Sequence, residues 1–188
     1  MLIALSAVVG TLVWVGSVSL RVLETERLVL RRMTGDDAGF ILKLLNEPSF
    51  LEYIGDKGVR TLADAHEYIQ NGPMASYERF GFGLYLVVLK EGEIPIGMCG
   101  LLKRETLADV DVGFAFLPAF WSKGYAYESA SAVMAYGRSA LGIGRIVAIT
   151  APDNESSIRL LEKMGLKFER QMALSEDTPE IKLFASEV

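Results

Sequence analysis

A single cysteine, Cys99, and a single histidine, His66, are all that the 188 residues offer of the side chains that build most metal centres and nucleophilic triads. One thiol closes no internal disulfide and makes no multi-cysteine metal site. One imidazole excludes most zinc constellations and the Ser-His-Asp arrangement of hydrolases. Excess basic charge is lacking too. With 24 acids against 19 Lys and Arg, the net charge is -5, which argues against a chain that lives on nucleic-acid phosphates. No G-x-x-x-x-G-K-[ST] occurs, so no P-loop is present. Gly142-Ile143-Gly144 follows a helical stretch and precedes a strand, the wrong order for a dinucleotide fingerprint. There is no internal repeat. What remains is 51% hydrophobic and 23% charged, the composition of a globular protein, and the length suits one core rather than two.

Residues 1–20 carry no charged side chain and are mostly apolar, and about 20 residues cross a bilayer as a helix. Three readings compete for this leader, taken as 1–22 ahead of a domain at 23–188. A membrane anchor would use Arg21 to hold the domain in the cytoplasm. A start codon assigned too early would make the segment translated upstream sequence. A signal peptide lacks its basic n-region, although Ser17 and Ser19 offer a small-residue cleavage site. The domain is expected to be cytoplasmic, and membrane-bound only if the leader is a true anchor.

Glu26 to Met33 alternates apolar and charged residues as a half-buried strand does. Thr34 reads as an N-cap, with Asp36 and Asp37 in the first turn of a helix running to about Asn46, where Pro48 stops it. Thr61 and Asp64 open a second helix in the manner of a capping box. It reaches Asn71, and Gly72-Pro73 breaks it before a further stretch to Arg79. Strands are expected at Gly83–Lys90, Ile94–Lys103 and Asp109–Leu117, the first two joined by a tight turn at Glu91-Gly92. A helix from about Tyr127 to Leu141 follows, then Arg145–Thr150, apolar in the style of a buried parallel strand. Asn154 caps a last helix that Gly165 ends, and Leu166–Leu174 and Glu180–Ala185 close the chain. The order is mixed α/β and does not alternate as a doubly wound sheet would.

The stretch Asp109 to Ser129, D-V-D-V-G-F-A-F-L-P-A-F-W-S-K-G-Y-A-Y-E-S, passes from a strand through a short loop into the first turn of a helix. Unpaired N–H groups and the helix dipole there favour an anion. The small residues Gly124 and Ala126 admit a phosphate close to the backbone, and Lys123 adds a charge at the rim. An ordinary strand-to-helix turn has the same composition, and the residues alone leave both readings open.

Trp121 to Glu128, W-S-K-G-Y-A-Y-E, resembles the W-G-x-G-[YI]-A-x-E loop of GNAT acetyltransferases. Asn154 to Leu166 is similar to their N-x-x-S-I-x-x-x-E-K-x-G-F helix, and Thr25 to Arg31, T-E-R-L-V-L-R, resembles the branch that includes the ribosomal-protein N-terminal acetyltransferases. The resemblance spans Leu23 to Leu183. It implies a single-domain GNAT fold, a mixed and mostly antiparallel sheet of about seven strands flanked by four helices, with acetyl-CoA as acyl donor and no metal. It further implies that the backbone of Trp121, Ser122, Lys123, Gly124, Tyr125 and Ala126 holds the CoA diphosphate, with Ser122 where a glycine is usual. Phe114, Ala115 and Phe116 would bind the pantetheine arm and present an N–H to the thioester oxygen. The strand Ile146–Thr150 would splay away from them, Asn154 would touch the pantetheine as well as cap its helix, and Ser157 would lie near the thiol. The partner implied is an amine, on a small molecule or a protein N-terminus, and a homodimer is compatible with the family.

An attacking amine must be neutral. A lysine side chain titrates near ~10.4 and an α-amine near ~8, so the α-amine needs less help. A carboxylate, directly or through a water, is the natural general base. Asp111 is the first candidate, on the strand leading to the oxyanion donors, with Glu105 and Asp109 behind it; the same acids also suit an exposed hairpin end. Family members often carry a tyrosine acid four residues after the Ser157 position. Here that residue is Leu161, so Ser157 or water protonates the thiolate, or no dedicated acid is required. Cys99 lies in an apolar strand and reads as a small hydrophobe, and His66 as a residue of an amphipathic helix. Phe50 to Thr61, with Glu52 and Asp56, is expected to shape the acceptor pocket. The competing function is a non-catalytic acyl-CoA-binding or interaction domain that keeps the loop without turnover.

Overall fold

A computed structural model of the protein describes residues 20–175 and 178–186. The leader, and with it the choice among anchor, signal and misplaced start, lies outside the described residues apart from 20–22. Among the described residues no helix is long and apolar enough to cross a membrane.

Eight strands form one sheet: β1 (Arg21–Glu24), β2 (Leu28–Arg31), β3 (Leu84–Leu89), β4 (Ile94–Leu102), β5 (Val110–Phe116), β6 (Ile146–Thr150), β7 (Leu166–Met172) and β8 (Ile181–Ser186), in the order β1-β2-β3-β4-β5-β6-β8-β7. Every neighbouring pair is antiparallel except β5 with β6. The eighth strand, one more than expected, is β1. It begins two residues inside the segment assigned to the leader and hydrogen-bonds along β2. At the other edge β7 shows its charged residues to solvent, which discourages pairing with another chain.

Six α-helices appear among the described residues, against four expected: α1 (Ala38–Leu45), α2 (Pro48–Tyr53), α3 (Leu62–Ile69), α4 (Ala75–Phe80), α5 (Tyr125–Ser139) and α6 (Glu155–Lys163). Two prolines account for the difference. Pro48 starts α2 instead of ending α1, because at the first position of a helix its missing N–H is an orphan in any case. Gly72-Pro73 does not break the chain. Residues Gln70–Met74 widen into a π-helical turn, and the rod continues from α3 into α4. The start of α3 is as expected, with Asp64 N–H bonded to Thr61 Oγ1 at 3.2 Å and Thr61 N–H to Asp64 Oδ2 at 2.8 Å.

Apolar contact fixes the layers. Ile41, Leu44 and Ile69 from α1 and α3 cover Leu86, Met98 and Ala115 on one face of the sheet. Ala130, Val133 and Met134 of α5 and Leu161 of α6 cover Cys99, Leu101, Val112 and Phe116 on the other. Each fully buried Leu or Ile contributes about 1.5–3 kcal/mol, and a one-residue slip of β5 would turn each of its side chains to the wrong face, Asp111 into the α5 core included. A separate cluster of Leu107, Val147, Leu183 and Ala185 lines the far end of the sheet. Val147 sits beside Asp111 in register, so this cluster lies on the α1–α3 side while remaining apart from the packing of those helices.

Candidate active site

The sheet opens between β5 and β6. They pair only at Val110 with Ile146 and Asp111 with Val147, whereas β5 stays on β4 as far as Phe116 and β6 stays on β8 as far as Thr150. From Val112 and Ala148 onward the two strands therefore part toward their C-terminal ends. The main-chain groups of β5 on that side have no strand to bond.

Which groups these are follows from alternation. Leu117 N–H donates to Ile96 O across the β4 side at 3.0 Å. Residues two apart along a strand point the same way, so Ala115 also turns its main chain to β4. A Cβ on Gly97 would lie 2.4 Å from Ala115 O, which shows how closely that carbonyl is held. Phe114 and Phe116 are the residues whose main chain faces the gap, and Ala115, expected as a third, does not. The Phe116 carbonyl is itself taken by the Trp121 indole, Nε1 donating at 2.8 Å.

At the mouth of the gap the chain turns into α5. Gly124, at φ 83°, sits at the N-cap in the left-handed region, and Ser122, at φ 59°, lies there too without glycine's freedom. No side chain caps the helix. Among the described residues the first-turn N–H groups of Tyr125, Ala126 and Tyr127 thus have no acceptor, and the positive end of a 15-residue helix is left open. The Lys123 ammonium stands 5.4 Å from the Phe120 ring centroid at the rim.

A contact between two of the sequence motifs holds this loop. Glu128 Oε1 accepts from Thr25 Oγ1 at 2.5 Å and from Arg27 N–H at 2.9 Å, and its Oε2 accepts from Arg27 Nε at 2.7 Å. The same arginine donates from Nη1 to Lys123 O at 3.0 Å and stacks 4.5 Å over the Tyr125 ring. Partial burial works against the Glu128 charge, but the hydrogen bonds from Thr25 and Arg27 outweigh it and hold the carboxyl below its ordinary range. Both motifs are visible in the sequence, but nothing in their spacing says that they meet.

Across the gap, Asn154 caps α6 by accepting from Ser157 N–H at 3.1 Å, which leaves its side-chain NH2 free to donate. Ser157 is half-buried on the first turn. Leu161 is fully enclosed in the α5–α6 core, so no hydroxyl stands at that position.

Three of the acids expected near the amine, Asp111, Asp109 and Asp56, are already engaged. Asp111, on the face away from α5, is 1% exposed and accepts from Arg104 Nε at 3.1 Å to each oxygen. Burial raises its pKa, against the pull of Arg104. At that exposure no amine can touch it, so the reading of Asp111 as a direct general base does not hold. Asp109 is bonded to Arg145 Nε at 2.9 Å, and Glu105 is exposed in the turn after β4. Asp56 is paired with Arg60. Cys99 is wholly buried and its thiol is pushed up to about 12 by desolvation, which removes it as a nucleophile. His66 lies exposed on α3 beside Gly35. Among the described residues no group of three or more His, Cys, Asp and Glu is placed to hold a metal ion.

Uncapped N–H groups at a helix start, an unpaired strand edge leading inward from them and an amide on the opposite wall fit a long anionic molecule with amide linkages along its arm. Acetyl-CoA has that chemistry. Comparison with known proteins agrees in kind. Residues 27–167 match the family model described as an acetyltransferase (GNAT) domain. YoaA of Bacillus subtilis, named an uncharacterized N-acetyltransferase, is 35% identical over 163 residues, covering 84% of this chain and 91% of the relative. A GNAT-family acetyltransferase structure from Bacillus anthracis superposes with a TM-score of 0.72 at 25% identity, over 86% of this chain and 95% of the other. RimL, a ribosomal-protein α-N-acetyltransferase solved in complex with coenzyme A, does so with a TM-score of 0.74 at 18% identity, over 86% and 94%, and speaks for the fold alone.

Proposed function

The chain belongs to the GNAT acetyltransferases, and on that premise we propose that it moves an acetyl group from acetyl-CoA to a primary amine, with the donor seated in the β5–β6 gap. The observation that carries this reading is the meeting of an uncapped α5 N-terminus with an unpaired stretch of β5. The N–H groups from Ser122 to Ala126, with Lys123 at the rim, take the diphosphate. Phe114 and Asn154 take the pantetheine amides from opposite walls, and the Trp121 indole keeps the Phe116 carbonyl and the loop in place.

When bound, acetyl-CoA supplies a thioester whose carbonyl carbon accepts the amine's lone pair and whose sulfur leaves as a thiolate. The chain's contribution is to orient and to stabilise charge. A main-chain N–H on the open edge of β5, Phe114 being the inner residue, donates to the oxygen that becomes negative. An α-amine titrating near ~8 is already about one-tenth neutral at pH 7, so delivery to water suffices and no side chain need touch its proton. Ser157 Oγ or water protonates the thiolate, whose conjugate acid titrates near ~8.5. The acceptor is an amine of a small molecule or a protein N-terminus, the latter being what the name of RimL describes for that protein. The reading places the domain in the cytoplasm, with a homodimer compatible.

Two measurements test this together. Calorimetry with CoA should show binding at micromolar or tighter affinity, and thiol release from acetyl-CoA should rise in the presence of at least one amine of a broad panel. A folded sample with no affinity for CoA would remove the proposal. Affinity without turnover on any amine would favour the non-catalytic alternative.

A further inference from the structure

The Arg104–Asp111 pair is built in an unusual direction. The carboxylate is the buried member at 1% exposed, and the guanidinium, 35% exposed, lies over it. Nε alone serves the carboxylate, and the two Nη groups make no hydrogen bond among the described residues. Burying a carboxylate carries a desolvation cost that its partner only partly offsets, so a pair of this kind is a poor device for stability. It does hold an arginine still, with the donor end of its fork outward.

That fork sits beside the point where β5 and β6 separate. The face is opposite α5, between the helices α1–α3 and the separate cluster around Val147 and Leu107. A second cation is close by. Lys57, in the connection from α2 to α3, and Tyr68, on α3, are both near enough to feel the Arg104 charge. Lys57 is exposed, and crowding around its ammonium, with the Arg104 charge adding to it, holds it below its ordinary range. Asp111 offsets one of the two cations, and the other neighbouring acids are engaged elsewhere: Asp56 is turned to Arg60 and Asp109 to Arg145. On the other flank Glu52 and Asp153 both act on Tyr53, and Asp153 adjoins Asn154 at the start of α6.

We propose that Arg104 and Lys57 form an anion-recognising end of the acceptor hollow, that the accepted amine therefore carries a carboxylate, and that Asp111 is the positioning residue that aims Arg104. The inference rests on the acetyl-transfer reading of the gap. A planar guanidinium with both Nη groups free matches a carboxylate in two parallel hydrogen bonds. The acids at the α6 end favour the opposite polarity, so an amino acid or an acidic peptide would lie with its amine toward Asn154 and its carboxylate toward Arg104.

The test uses matched acceptors on the full chain: alanine against alaninamide, and a tripeptide with acidic second and third residues against its Asn/Gln counterpart. One readout is kcat/KM by thiol release. The other is NMR-detected binding of the corresponding N-acetylated products to the CoA-saturated protein. The carboxylate member of at least one pair should be favoured about 10- to 100-fold in both readouts, and which pair responds tells a free amino acid from a peptide. Arg104→Gln and Lys57→Gln should each shrink that ratio. Arg104→Lys, which keeps the charge and loses the fork, should restore part of it, and Asp111→Asn should shrink it without moving the pH dependence of kcat/KM. Retained CoA affinity, a property of the other face, shows that each variant is folded. Equal handling of acid and amide in both readouts, or an equal loss on both in Arg104→Gln, overturns the proposal. A binding preference without any turnover leaves the anion site standing and removes the acetyl-transfer reading instead.

Discussion

Glu128→Gln takes one charge out of a contact between segments 101 residues apart while changing almost nothing in volume. The Glu128 side chain is 17% exposed and the Arg27 side chain 42%, so the pair stands between the surface and buried regimes. A glutamine can still accept from Thr25 Oγ1 or Arg27 N–H through its oxygen, but its NH2 then faces the Arg27 guanidinium, donor against donor. The loss is one charge-assisted bond and its geometry, about 2–3 kcal/mol once solvent access is discounted. For a domain of this size that lowers Tm by about 5–10 °C. Glu128 is also what keeps Arg27 bonded to Lys123 O, so the loop should loosen and CoA affinity fall by about tenfold, or about 1.4 kcal/mol, roughly half of the loss in stability. Scanning calorimetry and CoA titration read the two effects separately, and Arg27→Gln in a double-mutant cycle should show strong coupling. The pH dependence has a definite sign. A carboxyl held below its unfolded value contributes its stability at neutral pH and loses it on acidification below the ordinary range, near ~4.3, so the difference in stability between wild type and Glu128→Gln should shrink there. A variant that melts within about 1 °C of wild type and binds CoA equally well would refute the latch.

Ser122→Gly should stabilise the protein slightly: left-handed backbone costs a non-glycine residue about 1–2 kcal/mol, and the looser unfolded chain returns about 0.4–1 of it. A lower melting temperature would instead reveal a contact made by the hydroxyl. Cys99 should resist thiol reagents at pH 8 until the protein unfolds, and Cys99→Ser should keep its turnover; rapid labelling of the native protein would contradict its burial. Asn154→Ser should preserve the α6 cap to within a few tenths of a kcal/mol, while Asn154→Ala loses about 1 kcal/mol. Both should weaken CoA binding, and unchanged affinity in Asn154→Ser would reduce Asn154 to a cap.

Much of the fold is local chemistry and was therefore legible. Thr61 with Asp64, Gly124, Asn154 and Gly165 act within a turn of where they stand, and the apolar runs of β3 and β4 leave little choice but a central strand. The prolines misled because their effect depends on position within a helix. Pro48 looks like a stop until the next turn is seen to begin on it, and Pro73 is absorbed only because the turn around it widens. The site divides in the same way. The loop motif and the Asn154 helix could be picked out, since an anion cradle and a helix cap are short-range devices. Asp111 was legible as an acid on the right strand, but its partner Arg104 was not, because a side chain's burial and the direction of its neighbour are set by what packs over it.

The sequence by itself determined most of the sheet-and-helix order, the strand-to-loop-to-helix turn at Gly124 and the family, all of which follow from patterns a few residues long repeated in the right sequence. Only the tertiary structure decided that β5 and β6 part after two residue pairs, that Glu128 reaches Thr25 and Arg27, and that Asp111 is covered by Arg104. Each of these joins residues brought together by burial of the two apolar faces. No local rule of spacing carries that information, because the free energy that sets it belongs to the whole core.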